Sequence, residues 1–331
     1  MRLRDIKGQE TAVRILKSAV RRSSVAHAYL FAGPRHVGKT STALAFASAL
    51  NCANPTPDND ACGNCLSCLR IEACTDADVQ VISPSGNQTR IQQIHDMVRD
   101  LSYAPLSGKY RVFIIEQADT LNPSSGNAIL KILEEPPPYA VLILISTNPN
   151  SLLPTIRSRC MVVKFKTATV QTVEEILRSQ YDLSEEEIKV ISACSQGALG
   201  RAIQMASDPS FMEERRFVLE QLRTWAHGPD VLSLRTAELL RKRAEVAKND
   251  LDERTRIQRL VEMLEHILYW YADILKLKVH GEDVPLVNVD YREDLQSLAE
   301  LYEIKKVERC LRVVMAARTY IEGNITPQLV L

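Results

Sequence analysis

The sequence predicts an α/β nucleotide-type fold, a parallel sheet with flanking helices, followed by a chain that is helical to its end. Short β-branched apolar runs alternate with helix-length segments through the first half, a glycine-rich loop follows the first run, and strand signals stop near residue 165. Runs of this kind, bounded by turn residues, suit strands buried on both faces of a parallel sheet. They are AYLFAG (28–33), VQVISP (79–84), RVFIIE (111–116), AVLILIST (140–147) and MVVKF (161–165). Segments 171–179 and 184–194 then read as short helices, with Asp182 and Ser184 as caps and with Gly197 and Gly200 expected to break the helical pattern after them. From about 211 onward the pattern stays helical. Ile257, Leu260, Val261, Leu264, Ile267, Leu268, Tyr271, Ile274 and Leu275 share one face, the stripe of a helix-bundle core or of a subunit contact.

Composition narrows the function classes. The 41 basic residues cancel the 41 acidic ones, so no global field draws the chain to nucleic acid. Aromatic residues are 5%, too few for a reader that stacks single-stranded bases on a row of rings. No apolar run approaches the roughly 20 residues a bilayer requires. The opening MRLRDIKGQETAV carries charges where a signal peptide has its apolar region, so no membrane association and a cytoplasmic location are expected. In that reducing compartment the eight cysteines read as metal ligands or inert core thiols rather than disulfides.

The loop after AYLFA is Gly33-Pro34-Arg35-His36-Val37-Gly38-Lys39-Thr40, followed by Ser41 and the helical run TALAFASAL. It fits G-x-x-x-x-G-K-[ST], in which glycines let backbone N–H groups wrap phosphates, the lysine supplies a point charge and the threonine hydroxyl reaches Mg²⁺. Gly33 to Ser41 are therefore candidates for ATP or ADP. A hydrolytic site also needs a second strand ending in an acid for Mg²⁺, usually followed by a glutamate that activates water. The candidate strand ends Ile115-Glu116-Gln117-Ala118-Asp119. Glu116 can reach the metal through water, but Gln117 stands at the base position and cannot accept a proton, a loss of about 10²–10⁴ in rate. Nucleotide binding with weak or absent turnover is the expectation, unless Asp119 or another acid substitutes.

Cys52, Cys62, Cys65 and Cys68 form C-x₉-C-x₂-C-x₂-C in an insertion rich in Pro, Asn, Asp and Gly. Closely spaced thiolates on turns converge tetrahedrally on Zn²⁺, and four of them leave no open position, so the site is expected to be structural. Cys74 lies outside the set, and Cys160, Cys194 and Cys310 sit in apolar surroundings that suit core thiols.

With these parts together, the chain resembles the bacterial DNA polymerase III clamp-loader family of AAA+ proteins, which place a ring-shaped sliding clamp on primed DNA during replication. The resemblance runs through nearly the whole chain, on GQE (8–10), HAYLFAGPRHVGKTS (27–41), the four cysteines, YAPLSGKYRV (103–112), NAILKILEEPP (127–137), IST (145–147) and IRSRC (156–160). It implies an AAA+ module at 1–166 with a zinc insertion at 52–68, a helical lid at 167–209 and a helical collar at 210–331. It further implies that Thr147 is a first sensor beside the γ-phosphate, that Arg201 is a second sensor, and that Arg159 is an arginine finger serving a neighbour's ATP, a task that suits a planar, permanently charged guanidinium. The implied partners are gamma/tau and delta subunits in a hetero-pentamer, with clamp and DNA reached through the assembly. The family's gamma/tau motors carry Asp-Glu where this chain has Glu116-Gln117, and the chain ends soon after Gly323–Leu329 rather than in a tau-like extension; both features resemble a non-motor subunit. His36 stands where related loops commonly have glycine. An active gamma-type ATPase and a zinc adaptor with a vestigial phosphate loop are the alternatives.

Overall fold

The computed structural model describes residues 1–84, 91–226, 238–239, 242–243 and 253–322. The segment Gly323–Leu329, noted for its likeness to a short tail, lies outside them. Five strands form where the apolar runs predict them: β1 (Ala28–Ala32), β2 (Val79–Ile82), β3 (Arg111–Ile115), β4 (Ala140–Ser146) and β5 (Met161–Lys164). All pair in parallel, in the order β2-β3-β4-β1-β5. Register sets Phe31 beside Ile145 and Ala32 beside Ser146, so β1 and β4 end level with each other. The loops that leave their carboxyl ends start from one edge of the sheet, the edge where open α/β sheets bind ligands.

Period-two alternation divides the sheet residues between two apolar layers. Tyr29 and Phe31 join Leu16, Phe46, Ile114, Ile143 and Val163 in one layer; Leu30 joins Ile94, Met97, Phe113, Ile129, Leu142 and Leu144 in the other. Helix α1 (Glu10–Arg21) and helix α2 (Lys39–Asn51) contribute to the first layer, and α4 (Ile91–Leu101) and α5 (Pro123–Glu134) to the second. The small residues of TALAFASAL let α2 bury almost its whole length, with Ala43, Ala45, Phe46 and Ala47 fully covered. Each large apolar side chain so covered contributes about 1.5–3 kcal/mol. The short α3 (Leu66–Glu72) lies in the cysteine-rich insertion, and α6 (Pro154–Arg157) precedes β5.

The described residues divide into two compact units, one of Met1–Thr172 with Gly197–Arg201, the other of Val173–Gln196 with the residues from Ala202 on. Helices α7 (Val170–Gln180), α8 (Glu185–Ser195) and α9 (Leu199–Ser207) fall close to the expected ranges. Ser184 caps α8 in a full capping box with Glu187, so Ser184 rather than Asp182 starts that helix. Gly197, at φ +78°, separates α8 from α9. Gly200 does not break the chain as expected: it lies inside α9, where a Cβ would come 2.7 Å from the His36 carbonyl oxygen. Close backbone approach, not a turn, accounts for that glycine.

The second unit is helical, and its hub is the helix Glu253–His280, packed with α10 (Phe211–Ala226), Arg292–Leu301 and Ile304–Glu322. All of the predicted stripe but one residue is in the core, with Leu260, Val261, Leu264, Ile267, Tyr271 and Ile274 buried and Ile257 and Leu275 packed against them, while Leu268 is half-buried at its margin. Met263, Trp270 and Leu277 are buried as well, because neighbours cover this helix on more than one side. A buried polar centre fixes the loop after this helix: Asp273 accepts from the Val287 and Asn288 backbone and from Asn288 Nδ2, while Arg215 holds Asp290 through two 2.7 Å bonds.

Candidate functional site

The phosphate-type loop joins β1 to α2 and is held from four directions. Gly33 N donates to Ser146 O at 3.2 Å, which ties the loop to the end of β4, and a Cβ at Gly33 would collide with the Phe165 carbonyl. Gly38 caps α2 at φ +89°. Gln9 Nε2 donates to Val37 O (3.2 Å) and to Lys166 O (2.7 Å), while Gln9 Oε1 accepts from Lys166 N, so one amide binds the loop to the end of β5. From α9, Gly200 N donates to His36 O at 2.8 Å. His36 itself has φ +58°, a left-handed conformation that explains why glycine suits this position. The loop thus leads into the first N–H groups of α2, which have no partner within the helix, an arrangement that fits a phosphate.

Lys39 begins α2 and is buried, with Nζ donating to Gly33 O at 2.7 Å and to Pro34 O. Burial lowers its pKa to about 8, with Asp119 opposing that shift and Arg35 adding to it. Thr40 Oγ1 donates to Glu116 Oε1 at 2.8 Å, and Ser83 Oγ donates to Glu116 Oε2 at 2.7 Å. The threonine and carboxylate expected at Mg²⁺ therefore already meet across α2 and β3, which is a donor set that fits a hard cation. Gln117 is exposed at φ +48° and brings no acid. Asp119 accepts from Thr147 N and from Thr147 Oγ1, both at 3.1 Å. A hydroxyl has one proton, so in this arrangement the Thr147 side chain donates to Asp119.

Among the sequence-derived candidates, the structure joins Gly33 to Ser41, Glu116 and, through Asp119, Thr147 at the carboxyl edge of the sheet. Arg201 lies in α9 directly after the residue bonded to His36, in the same compact unit as the loop. Arg159 belongs elsewhere: its guanidinium contacts Glu134 Oε1 at 3.0 Å and Thr155 O at 3.1 Å. Gln9 and Ser83 escaped the sequence reading as site residues. Their partners lie 28 to 157 and 33 positions away, and the only signals were GQE itself and a polar residue closing the VQVI run. The family-like segment 103–112 gains a physical basis too. Asp78 gathers the Leu106, Ser107 and Gly108 N–H groups, and Asn51 pairs with Lys109 and Tyr110.

The four expected cysteines come together, their sulfurs all within 4.8 Å of one another. Sγ of Cys52 lies 4.0 Å from that of Cys65 and 3.7 Å from that of Cys68, and Cys62 and Cys68 are 4.0 Å apart. A tetrahedron with Zn–S bonds near 2.3 Å has edges of about 3.8 Å, so this donor set fits zinc. Burial pushes the Cys65 thiol up, but N–H donors from Cys68 and Ala53 and the neighbouring thiols outweigh it and hold the group at about 6. Backbone N–H groups of Cys62 and Cys65 also donate to Cys52 and Cys62 sulfur, both at 3.3 Å, as outer partners that favour thiolates. Buried Asp60 anchors the insertion by accepting from the backbone N–H groups of Leu3, Arg4 and Ala61, with Lys17 at 3.5 Å. Cys74 is exposed, outside the cluster, while Cys194 is buried and burial pushes Cys160 up to about 12.

Two family models match the chain, DNA polymerase III, delta subunit, over residues 8–169, and its C-terminal counterpart over 210–331. The chain belongs to the bacterial DNA polymerase III clamp-loader family. It is 28% identical over 315 residues to DNA polymerase III subunit tau of Bacillus subtilis, covering 90% of this chain and 54% of that one. It is 33% identical over 209 residues to subunit tau of Escherichia coli, covering 61% and 32%. It is 25% identical over 320 residues to subunit delta' of Bacillus subtilis, covering 97% and 93%. The chain thus spans about half or less of these tau relatives and nearly all of the delta' relative. Among solved structures, a gamma subunit-related protein of Thermotoga maritima aligns over 96% of this chain and 100% of its own, at 16% identity and a TM-score of 0.47. No helix among the described residues is long and apolar enough to cross a membrane.

Proposed function

We propose that this chain is a delta-prime-type subunit of the polymerase III clamp loader, a cytoplasmic AAA+ protein that holds ATP or ADP with Mg²⁺, hydrolyses it poorly, and supplies Arg159 to a neighbouring subunit's ATP. The observation that carries this reading is an intact loop, with Thr40 bonded to Glu116, beside a glutamine at the base position. The loop offers groups suited to phosphate, and Gln117 offers no proton acceptor. Near-complete coverage of the delta' relative supports the same reading. In it the chain has an AAA+ module at 1–166, a lid at 167–209 and a collar at 210–331, and joins gamma/tau and delta subunits in a hetero-pentamer that acts on the sliding clamp and primed DNA. Gly33 to Ser41 hold the phosphates, Glu116 and Thr40 hold Mg²⁺, Thr147 and Arg201 act as sensors, and Cys52, Cys62, Cys65 and Cys68 hold a structural zinc.

The test is a reconstituted ring in which only the site adjacent to this subunit binds ATP. An arginine finger in trans is worth roughly 10³–10⁵ in related phosphoryl transfers. Arg159→Ala is expected to assemble normally and to lower turnover at that site by a factor in or near this range, with Arg159→Lys restoring part of it because the planar fork is lost. Equal turnover with arginine and alanine would overturn the trans assignment. A second reading, an active gamma/tau-type ATPase, draws on the higher identity to the tau relatives. Lysine-dependent hydrolysis of several per second by the chain alone, in the ordinary enzyme range, decides for it.

A further inference from the structure

Helix α5 ends in two glutamates, Glu134 and Glu135, at the pole where the helix macrodipole disfavours negative charge. Its last turn already contains Lys131, which suits that pole. Local helix energetics therefore give no reason for a carboxylate at 134, and a long-range contact does. Glu134 Oε1 accepts from Arg159 Nη2 at 3.0 Å, while Arg159 Nη1 donates to Thr155 O at 3.1 Å. The two side chains remain 53% and 36% exposed, so this is a surface ion pair that adds little to stability. What it does is restrict a long, flexible side chain. One terminal nitrogen is fixed by a backbone carbonyl of α6 and the other by a carboxylate 25 residues away, so the guanidinium plane is set by two anchors.

We propose that Glu134 is the positioning residue for Arg159, a role that rests on the trans reading of Arg159 under Proposed function. A guanidinium held in one orientation before the neighbour's nucleotide arrives loses less rotamer entropy on reaching the charge that develops at the γ-phosphate. Glu134 does not touch that nucleotide and acts only through Arg159. Its effect should fall on kcat at the adjacent site and leave KM unchanged, as for an interaction that matters in the transition state.

The experiment uses the complete ring with a single competent ATP site beside this subunit, and four forms of the chain: wild type, Glu134→Ala, Arg159→Ala and the double variant. Glu134→Ala is expected to lower kcat about two- to fivefold, the range a surface pair supports, with KM unchanged. Glu134→Gln, which keeps an acceptor, should recover part of the loss. The double variant should be no slower than Arg159→Ala, since removal of the guanidinium leaves Glu134 nothing to orient. Removing an exposed carboxylate from the unfavourable end of a helix leaves the fold intact, so a loss is not a folding defect. Full kcat in Glu134→Ala beside a slow Arg159→Ala would overturn the positioning role while leaving the trans role standing. A further loss in the double variant would overturn it too, because Glu134 would then act by its own route. Full turnover in Arg159→Ala would remove the trans reading itself, and this role with it.

Discussion

The phosphate loop and the cysteine insertion are near neighbours in sequence, yet they are built in opposite ways. The cysteine site is local: its four thiols span Cys52 to Cys68, its own core is little more than Ala61 and the cysteines, and the carboxylate of Asp60 is among the few groups that tie it to the rest of the chain. The loop is a tertiary site. Gln9, Ser146, Lys166 and Gly200 all bond to it or brace it, from four different parts of the sequence. A local site depends on its ligand and a tertiary site on its surroundings, so each should fail in its own manner.

The largest expected effect is on the cysteine side. Cys65→Ser should lose the zinc, read as about one metal per chain falling to none by elemental analysis. With so small an apolar core of its own the insertion is expected to depend on bound metal for its order, so the α/β unit should lose several kcal/mol and its melting midpoint should fall by roughly 10 °C. A metal-free wild-type protein, purified reduced and without chelator, would break the comparison at its root.

Lys39 tests the loop. Lys39→Ala should weaken ATP and ADP binding about a hundredfold in equilibrium titration, since charge-assisted bonds to a buried site are worth about 1.5–3 kcal/mol each. Its pH dependence has a definite sign. Lys39 is charged through neutral pH, and a bound phosphate favours that charge, so affinity should hold below about 8 and then fall, approaching tenfold per pH unit. For folding the sign reverses. Between about 8 and the ordinary value of 10.5 the unfolded chain binds more protons at this residue, so the group adds stability as pH rises through that window. Affinity that stays flat to about pH 10 would mean that Lys39 is not the charge that holds the phosphates.

The smallest effect is the most specific. His36→Gly should raise stability by about 0.5–1 kcal/mol by removing a side chain from a left-handed position, seen as a higher urea midpoint at unchanged slope. A lower midpoint would show that the His36 side chain supports the loop by more than its strain removes.

Legibility from sequence follows the same division. The strands and the convergence of the four cysteines are legible because period-two runs and short Cys spacings are local signals, and each strand falls within two residues of its predicted end. In the loop the motif was readable, but the braces were not: Gln9 and Lys166 meet across 157 positions. Gly200 misled for a related reason. A glycine that admits a distant backbone looks, in sequence, like one that ends a helix. The stripe on the helix Glu253–His280 matches the core except at Leu268, and it is narrow, because a single stripe cannot reveal that Met263, Trp270 and Leu277 are covered by other neighbours.

Asp60 has a consequence for how the molecule comes apart. Its carboxylate closes a circuit between residue 60 and the amides of Leu3 and Arg4, without any covalent link. The amino terminus adds a second tie to the same region, with Met1 N donating to Glu72 Oε2 at 2.7 Å at the end of α3. The first residues and the insertion are therefore expected to open together, Leu3 and Ile71 being buried in the same apolar layer of the sheet.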